Sequence, residues 1–159
     1  AKGSVHEGGI RIPMIAAWPG KTEAGTISNH LSAFWDVFPT FCDVAGTTPP
    51  KDLELDGISF LPTLLGGENQ KKHETLYWEF PAYGGQQAVR FGKWKAMRQH
   101  IFSGNMEIEL FNMETDSTEQ NDLAKQHPEI VNQAEEYMNR EHTAAAVKKF
   151  RMEHLGDQP

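Results

Sequence analysis

One cysteine, Cys42, is all that the 159 residues contain, so no disulfide can form within the chain and a four-ligand cysteine-rich zinc site is excluded by counting. Long apolar runs are missing too. No stretch approaches the roughly 20 residues a membrane-spanning helix requires, and Ala1-Lys2-Gly3-Ser4 lacks the apolar core of a signal peptide. Basic charge is in deficit: 15 Lys and Arg stand against 22 Asp and Glu, a net charge of -7. With no Lys/Arg stripe to offset it, that balance opposes binding to a phosphate backbone and leaves out nucleic acid as a partner. Internal repeats and low-complexity segments are absent as well. A chain that opens directly on a glycine-rich motif, with no element before it, is expected to be a cut made inside a longer protein.

What is present fits an ordinary globular chain, with 38% hydrophobic and 23% charged residues and enough length for one domain or part of a larger one. Ile10 to Trp18 is a near-continuous apolar run between Gly9 and Pro19-Gly20, the pattern of a strand buried on both faces of a mostly parallel sheet. Ser28 or Asn29 is placed to cap a helix carrying Leu31, Phe34, Trp35, Phe38, Phe41 and Cys42 at helical spacing, bent or restarted at Pro39 and closed by Gly46. A short helical turn is expected within 57–66. Thr75 to Phe80, Gln87 to Phe91, Trp94 to Arg98 and Glu109 to Met113 then read as four strands of an antiparallel meander. Pro128 opens a final helix through Ile130, Val131, Ala134, Tyr137 and Met138, and beyond Thr143 a peripheral tail helix or fraying is expected.

Several ordered motifs carry a specific resemblance. Lys2-Gly3-Ser4-Val5-His6-Glu7-Gly8-Gly9-Ile10-Arg11-Ile12-Pro13, followed by Trp18-Pro19-Gly20, resembles the lysine-to-EGG-x-R-x-P segment of type I, formylglycine-dependent sulfatases of the alkaline-phosphatase-like superfamily. The match continues in register. Asp36-Val37-Phe38-Pro39-Thr40 resembles the family's D-x-x-PT helix and Asp56-Gly57-Ile58-Ser59-Phe60 its DG loop. Gln87-Ala88-Val89-Arg90-Phe91-Gly92-Lys93-Trp94-Lys95 resembles the AVR-x-G-x-WK hairpin, and Glu109-Leu110-Phe111-Asn112-Met113 with Asp116, Glu119 and Asn121 resembles the ELYD region.

The resemblance implies an α/β enzyme of which this chain is the C-terminal portion. Residues 1–70 would end the large catalytic domain, contributing one buried strand and a helix. Residues 71–142 would form a small four-stranded antiparallel sheet packed on a C-terminal helix, with 143–159 a peripheral tail. It implies that Lys2 contacts the sulfate group and stabilises charge during transfer, the catalytic role left to this chain. A compact ammonium aimed at developing charge in a dry site can be worth on the order of 10²–10³ in rate.

Around Lys2, Gly3, Gly8 and Gly9 let the backbone turn closely, while Glu7 is read as a carboxylate that holds the turn. His6 is expected at the pocket rim, and Tyr83 and Gln86, on the loop joining two strands of the small sheet, at the sugar or aryl part of the substrate. The substrate class implied is a sulfated carbohydrate or an aryl sulfate, and periplasmic or secreted sites are the compartments that the resemblance suggests.

The formylglycine nucleophile and the calcium ligands of such enzymes would lie in an N-terminal region missing from this chain. Cys42 does not sit in the formylglycine signature and reads as a small core hydrophobe. The chain alone is therefore expected to be inactive, and no metal site is assigned within it. The apolar faces of Ile10 to Trp18 need cover, so that segment is expected to pack on a copy of itself, a neighbouring chain or the small sheet. Two other readings stand beside the sulfatase one. A phosphate or phosphonate ester hydrolase of the same superfamily would use the same tetrahedral recognition, and a non-catalytic sulfated-glycan-binding module would use the sheet and its aromatics.

Overall fold

Where the sequence predicts a buried strand from Ile10 to Trp18, the backbone of the computed structural model makes one helical turn, α1 (Glu7–Ile10), and then runs without regular structure to Trp18. Residues 11–17 are exposed, Ile15 at 94%. The reason lies in pairing: a parallel strand needs neighbours on which to place its N–H and C=O groups, and this chain supplies none for that segment. The structure describes residues 2–158, grouped as residues 13–74 and, separately, residues 2–12 with 75–158. In this chain the opening motif therefore goes with the small sheet rather than with the segment that follows it.

Within 13–74, a single 3-10 turn (Phe34–Asp36) leads into α2 (Val37–Val44), and α3 (Leu61–Leu64) follows. The helix begins later than a cap at Ser28 or Asn29 would set it. The buried carboxylate of Asp36 fixes the start, accepting from the backbone N–H groups of Ala33 and Ile58, both at 2.7 Å, and from His73 Nε2 at 2.9 Å. Pro39 is the third helical residue, where the missing N–H has no helical acceptor to lose, so the helix is not broken there. Gly46, at φ 66, ends it: Thr47 N–H donates to Cys42 and Gly46 N–H to Asp43, the paired bonds of a left-handed helix stop. Cys42 is buried in α2.

The sheet matches its expected meander, with β1 (Leu76–Phe80), β2 (Gln86–Phe91), β3 (Trp94–Gln99) and β4 (Glu109–Asn112) antiparallel in that order. Alternation gives it two apolar faces. One carries Val89, Phe91, Ala96 and Leu110 and packs on Ala134 and Met138 of α4 (Pro128–Glu141), whose Pro128 occupies the first turn. The other carries Ala88, Met97 and Phe111 and is covered by Val5 of the opening segment. Beyond α4 the tail forms no long helix: two single turns (Lys148–Phe150 and Glu153–Leu155) flank Met152 at 2% exposure, and Asp157 is buried too, while most of the other tail residues are exposed.

Candidate functional site

Strand alternation sets the electrostatics of the site before any loop is considered. Arg90 shares a sheet face with Ala88, and Lys95 shares it with Met97, so both cations point to the side that the opening segment covers. Lys95 is completely buried. An isolated ammonium there would be prohibitively costly, and two carboxylates meet it: Glu7 Oε1 at 2.9 Å and Glu119 Oε1 at 2.7 Å from Nζ. Arg90 adds a contact from Nη1 to Glu7 Oε2 at 3.3 Å. Glu119 Oε2 in turn accepts from the backbone N–H of Glu7 at 2.9 Å and lies 3.1 Å from His6 Nδ1.

Two carboxylates and two cations thus balance in a buried network, and each depends on the others. Breaking a buried pair by removing one partner strands a charge and costs about 3–5 kcal/mol. Three sequence motifs that lie far apart, around Glu7, Arg90 to Lys95, and Glu119, converge on this one knot. Sequence reasoning assigned Glu7 a holding role but gave none to Lys95, Arg90 or Glu119. The signal available was a lysine at an inward-facing position of an otherwise apolar strand, which demands a carboxylate from elsewhere in the chain.

Glu119 reaches the network from the turn after β4, in a left-handed conformation at φ 58. Asp116 shapes that turn by accepting from the backbone N–H groups of Asn121 at 2.8 Å and Gln120 at 2.9 Å. These backbone bonds, that of Asn121 first, hold the Asp116 carboxyl below the usual range. Beside the network an open hollow of about 400 Å³ is lined by Glu7, Gly8, Arg11, Ser117, Thr118 and Glu119.

The other end of the opening segment is fixed by Gln86. Expected at the substrate rim, Gln86 is 4% exposed, its Oε1 accepting from Val5 N–H at 3.2 Å and its Nε2 donating to the Gly3 carbonyl at 3.1 Å. It is a clamp inside the fold, with its amide already occupied. Tyr83, by contrast, is 75% exposed and sits at φ 52, a conformation uncommon for a bulky residue. Its ring stacks on Phe80 and lies against Gly3, where a Cβ would fall 2.5 Å from Tyr83 Cε2. Gly3 also adopts φ 80, so both space and backbone demand glycine there.

Lys2, directly before that glycine, is exposed, while His6 is partly buried through its contact with Glu119. Lys2, Tyr83 and His6 therefore belong to one loop system clamped at Gln86 and at Glu7. Among the described residues no three His, Cys, Asp or Glu side chains are grouped to hold a metal ion. The one close carboxylate pair, Glu7 and Glu119, is neutralised by Lys95 and Arg90, so the donor set does not fit a calcium ion.

Fold and site together define a sheet-and-helix unit built to hold a lysine-bearing glycine loop in place. A family model described as N-sulphoglucosamine sulphohydrolase, C-terminal, matches residues 1–144, and the chain belongs to this family. It is the C-terminal portion of a sulfatase of the alkaline-phosphatase-like superfamily. N-acetylgalactosamine-6-sulfatase of Mus musculus is 37% identical over 117 residues, 72% of this chain and 21% of that protein. Arylsulfatase G of Rattus norvegicus is 31% identical over 146 residues, 81% of this chain and 27% of its own length. Among solved structures, Ps i-CgsB in complex with k-i-k-neocarrahexaose superposes with a TM-score of 0.66 at 28% identity, covering 77% of this chain and 27% of that one. The chain thus spans about a quarter or less of the curated relatives named. The phosphate or phosphonate ester reading and the non-catalytic module are not favoured by these relatives.

Proposed function

We propose that this chain works as the C-terminal part of a longer sulfuric ester hydrolase, in which Lys2 contacts the sulfate group and Tyr83 and His6 line the entrance to the pocket. The observation that carries the reading is the buried network of Glu7, Lys95, Arg90 and Glu119, together with the Gln86 clamp. Such a network is costly to build for a surface loop without a task, because Lys95, Glu7 and Glu119 must be desolvated together. A task exists if the loop must hold an ammonium still against an oxyanion, since electrostatic stabilisation depends on donors placed before the reaction begins. The proposed substrate class is a sulfated carbohydrate or an aryl sulfate. Gln86 acts by fixing the loop and meets no substrate.

Calcium and a formylglycine nucleophile belong, on this reading, to the region preceding the chain, and the chain alone turns over no sulfate ester. Steady-state kinetics on the longer protein test the assignment. Lys2→Ala is expected to lower kcat/KM for a sulfate ester on the order of 10²–10³-fold. Turnover unchanged in Lys2→Ala, or measurable in the isolated chain, would overturn it.

A further inference from the structure

The family match ends at residue 144, yet the largely exposed chain beyond it is anchored at two buried residues, Met152 and Asp157, and the anchor converges on one histidine. His142 closes α4 with its ring between two carboxylates: Nδ1 is 2.5 Å from Glu79 Oε1 of β1, and Nε2 is 2.9 Å from Asp157 Oδ1 of the tail. The other oxygen of Asp157 accepts from the backbone N–H of Met152 at 2.7 Å. Met152 is thereby held beneath the loop that carries Tyr83. Its Sδ lies 3.2 Å from the place a Cβ on Gly85 would occupy, and the Gly85 and Gly84 carbonyls accept from Ile101 and Phe102 N–H. His154, on the next turn of the tail, lies against Gly104, which closes the single 3-10 turn Ile101–Ser103.

We propose that residues 143–158 form a strap, locked by His142 between Glu79 and Asp157, that positions the Tyr83–Gly85 loop. His142, Asp157 and Met152 are positioning residues, acting on Tyr83 through Gly85. The strap and its lock follow from the contacts; only the consequence for substrate rests on the sulfatase reading above.

The lock is pH-sensitive. Burial disfavours the charged ring, but hydrogen bonds and charge from Glu79, then Asp157, outweigh it and raise the His142 pKa above its ordinary 6.5. On Asp157, burial is outweighed by the Met152 N–H and by His142, which together lower its pKa below 3.8. Behind Glu79 the Tyr77 phenol, raised chiefly by burial, bonds Glu79, and Arg98 reaches Tyr77 through Gln87; within the tail, Arg151 donates to the Ala145 and Gln158 carbonyls. A raised histidine stabilises fully below 6.5 and loses its contribution as pH climbs through the folded value; a depressed aspartate stabilises above 3.8 and loses its contribution as pH falls. The strap is therefore tightest between these limits and loosens in alkali.

Hydrogen exchange of the full chain, corrected for intrinsic rates, tests this in a series from about pH 5.5, below the ordinary histidine value, into the alkaline range. Amides of 145–158 and of 82–85 with 100–104 are expected to exchange several-fold faster at the higher pH, in the direction that a raised histidine sets. Those of 87–91 in β2 and of β3 should not change. His142→Gln should open both segments throughout the series and abolish the pH dependence, and Asp157→Asn should do so in part. Equal protection of the tail across the series in the unmodified chain would overturn the proposal, as would a tail that opens while 82–85 stays protected. The unmodified chain alone decides the matter if a variant does not fold, and neither result depends on sulfatase activity.

Discussion

Residues 13–74 and the sheet-bearing remainder are made of similar amino acids yet bury them very differently. Of the fifteen large apolar residues that are exposed among the described residues, ten lie in 13–74, including Ile15 at 94%, Ile27 at 93% and Phe34 at 77%. The sheet, with most of the chain's residues around it, closes both its apolar faces with α4 and Val5. Scattered exposed apolar residues are ordinary, but so dense a set in one segment stands out. The sheet unit is self-contained because its partners follow one another in the chain, whereas 13–74 leaves much of its apolar surface uncovered. The difference agrees with relatives three or more times longer than this chain.

Substitutions can break or sharpen that contrast. The largest effect is expected from Lys95→Met, which keeps bulk but strands Glu7 and Glu119 in a buried site. Urea unfolding of the sheet unit should show a loss of about 3–5 kcal/mol, and the amides of Val5 and Glu7 should lose exchange protection. A loss below about 1 kcal/mol, the range of surface pairs, would mean the network is solvated and the loop is not fixed by it. A matched pair of truncations is the finer comparison. Leu110→Ala, at a fully buried position, should cost about 2–5 kcal/mol, while Ile15→Ala should stay within about 0.5 kcal/mol. Similar costs at the two sites would erase the distinction between the units.

Much of the sheet was legible from sequence because each strand is short, aromatic or β-branched, and bounded by turn residues, so local pattern and final pairing agree. Gly92 and Pro128 marked their turn and helix start for local reasons of the same kind. Ile10 to Trp18 misled because an apolar run specifies burial and not the element that provides it; without neighbouring strands it takes no regular form. The start of α2 was misjudged because Asp36, whose carboxylate reaches Ala33 and Ile58, overrides nearer capping residues. At the site, the holding role of Glu7 was read from a local motif, whereas the role of Lys95 depends on Glu119, and that pairing exists only after the chain has folded. Gln86 was placed at the rim because loop position suggests exposure; its amide was needed instead to satisfy the backbone of Gly3 and Val5. For its few large apolar residues the tail was expected at the periphery, and most of it is exposed; the anchoring of Met152 and Asp157 through His142 was not legible because that pairing exists only in the folded chain.

The most direct test is a crystal structure of the longer protein with a sulfated ligand or sulfate ion bound. The amine of Lys2 is expected within about 3 Å of a sulfate oxygen, with the Glu7, Lys95 and Glu119 contacts intact behind it. An anion bound elsewhere while that amine points into bulk solvent would contradict the role assigned to the loop.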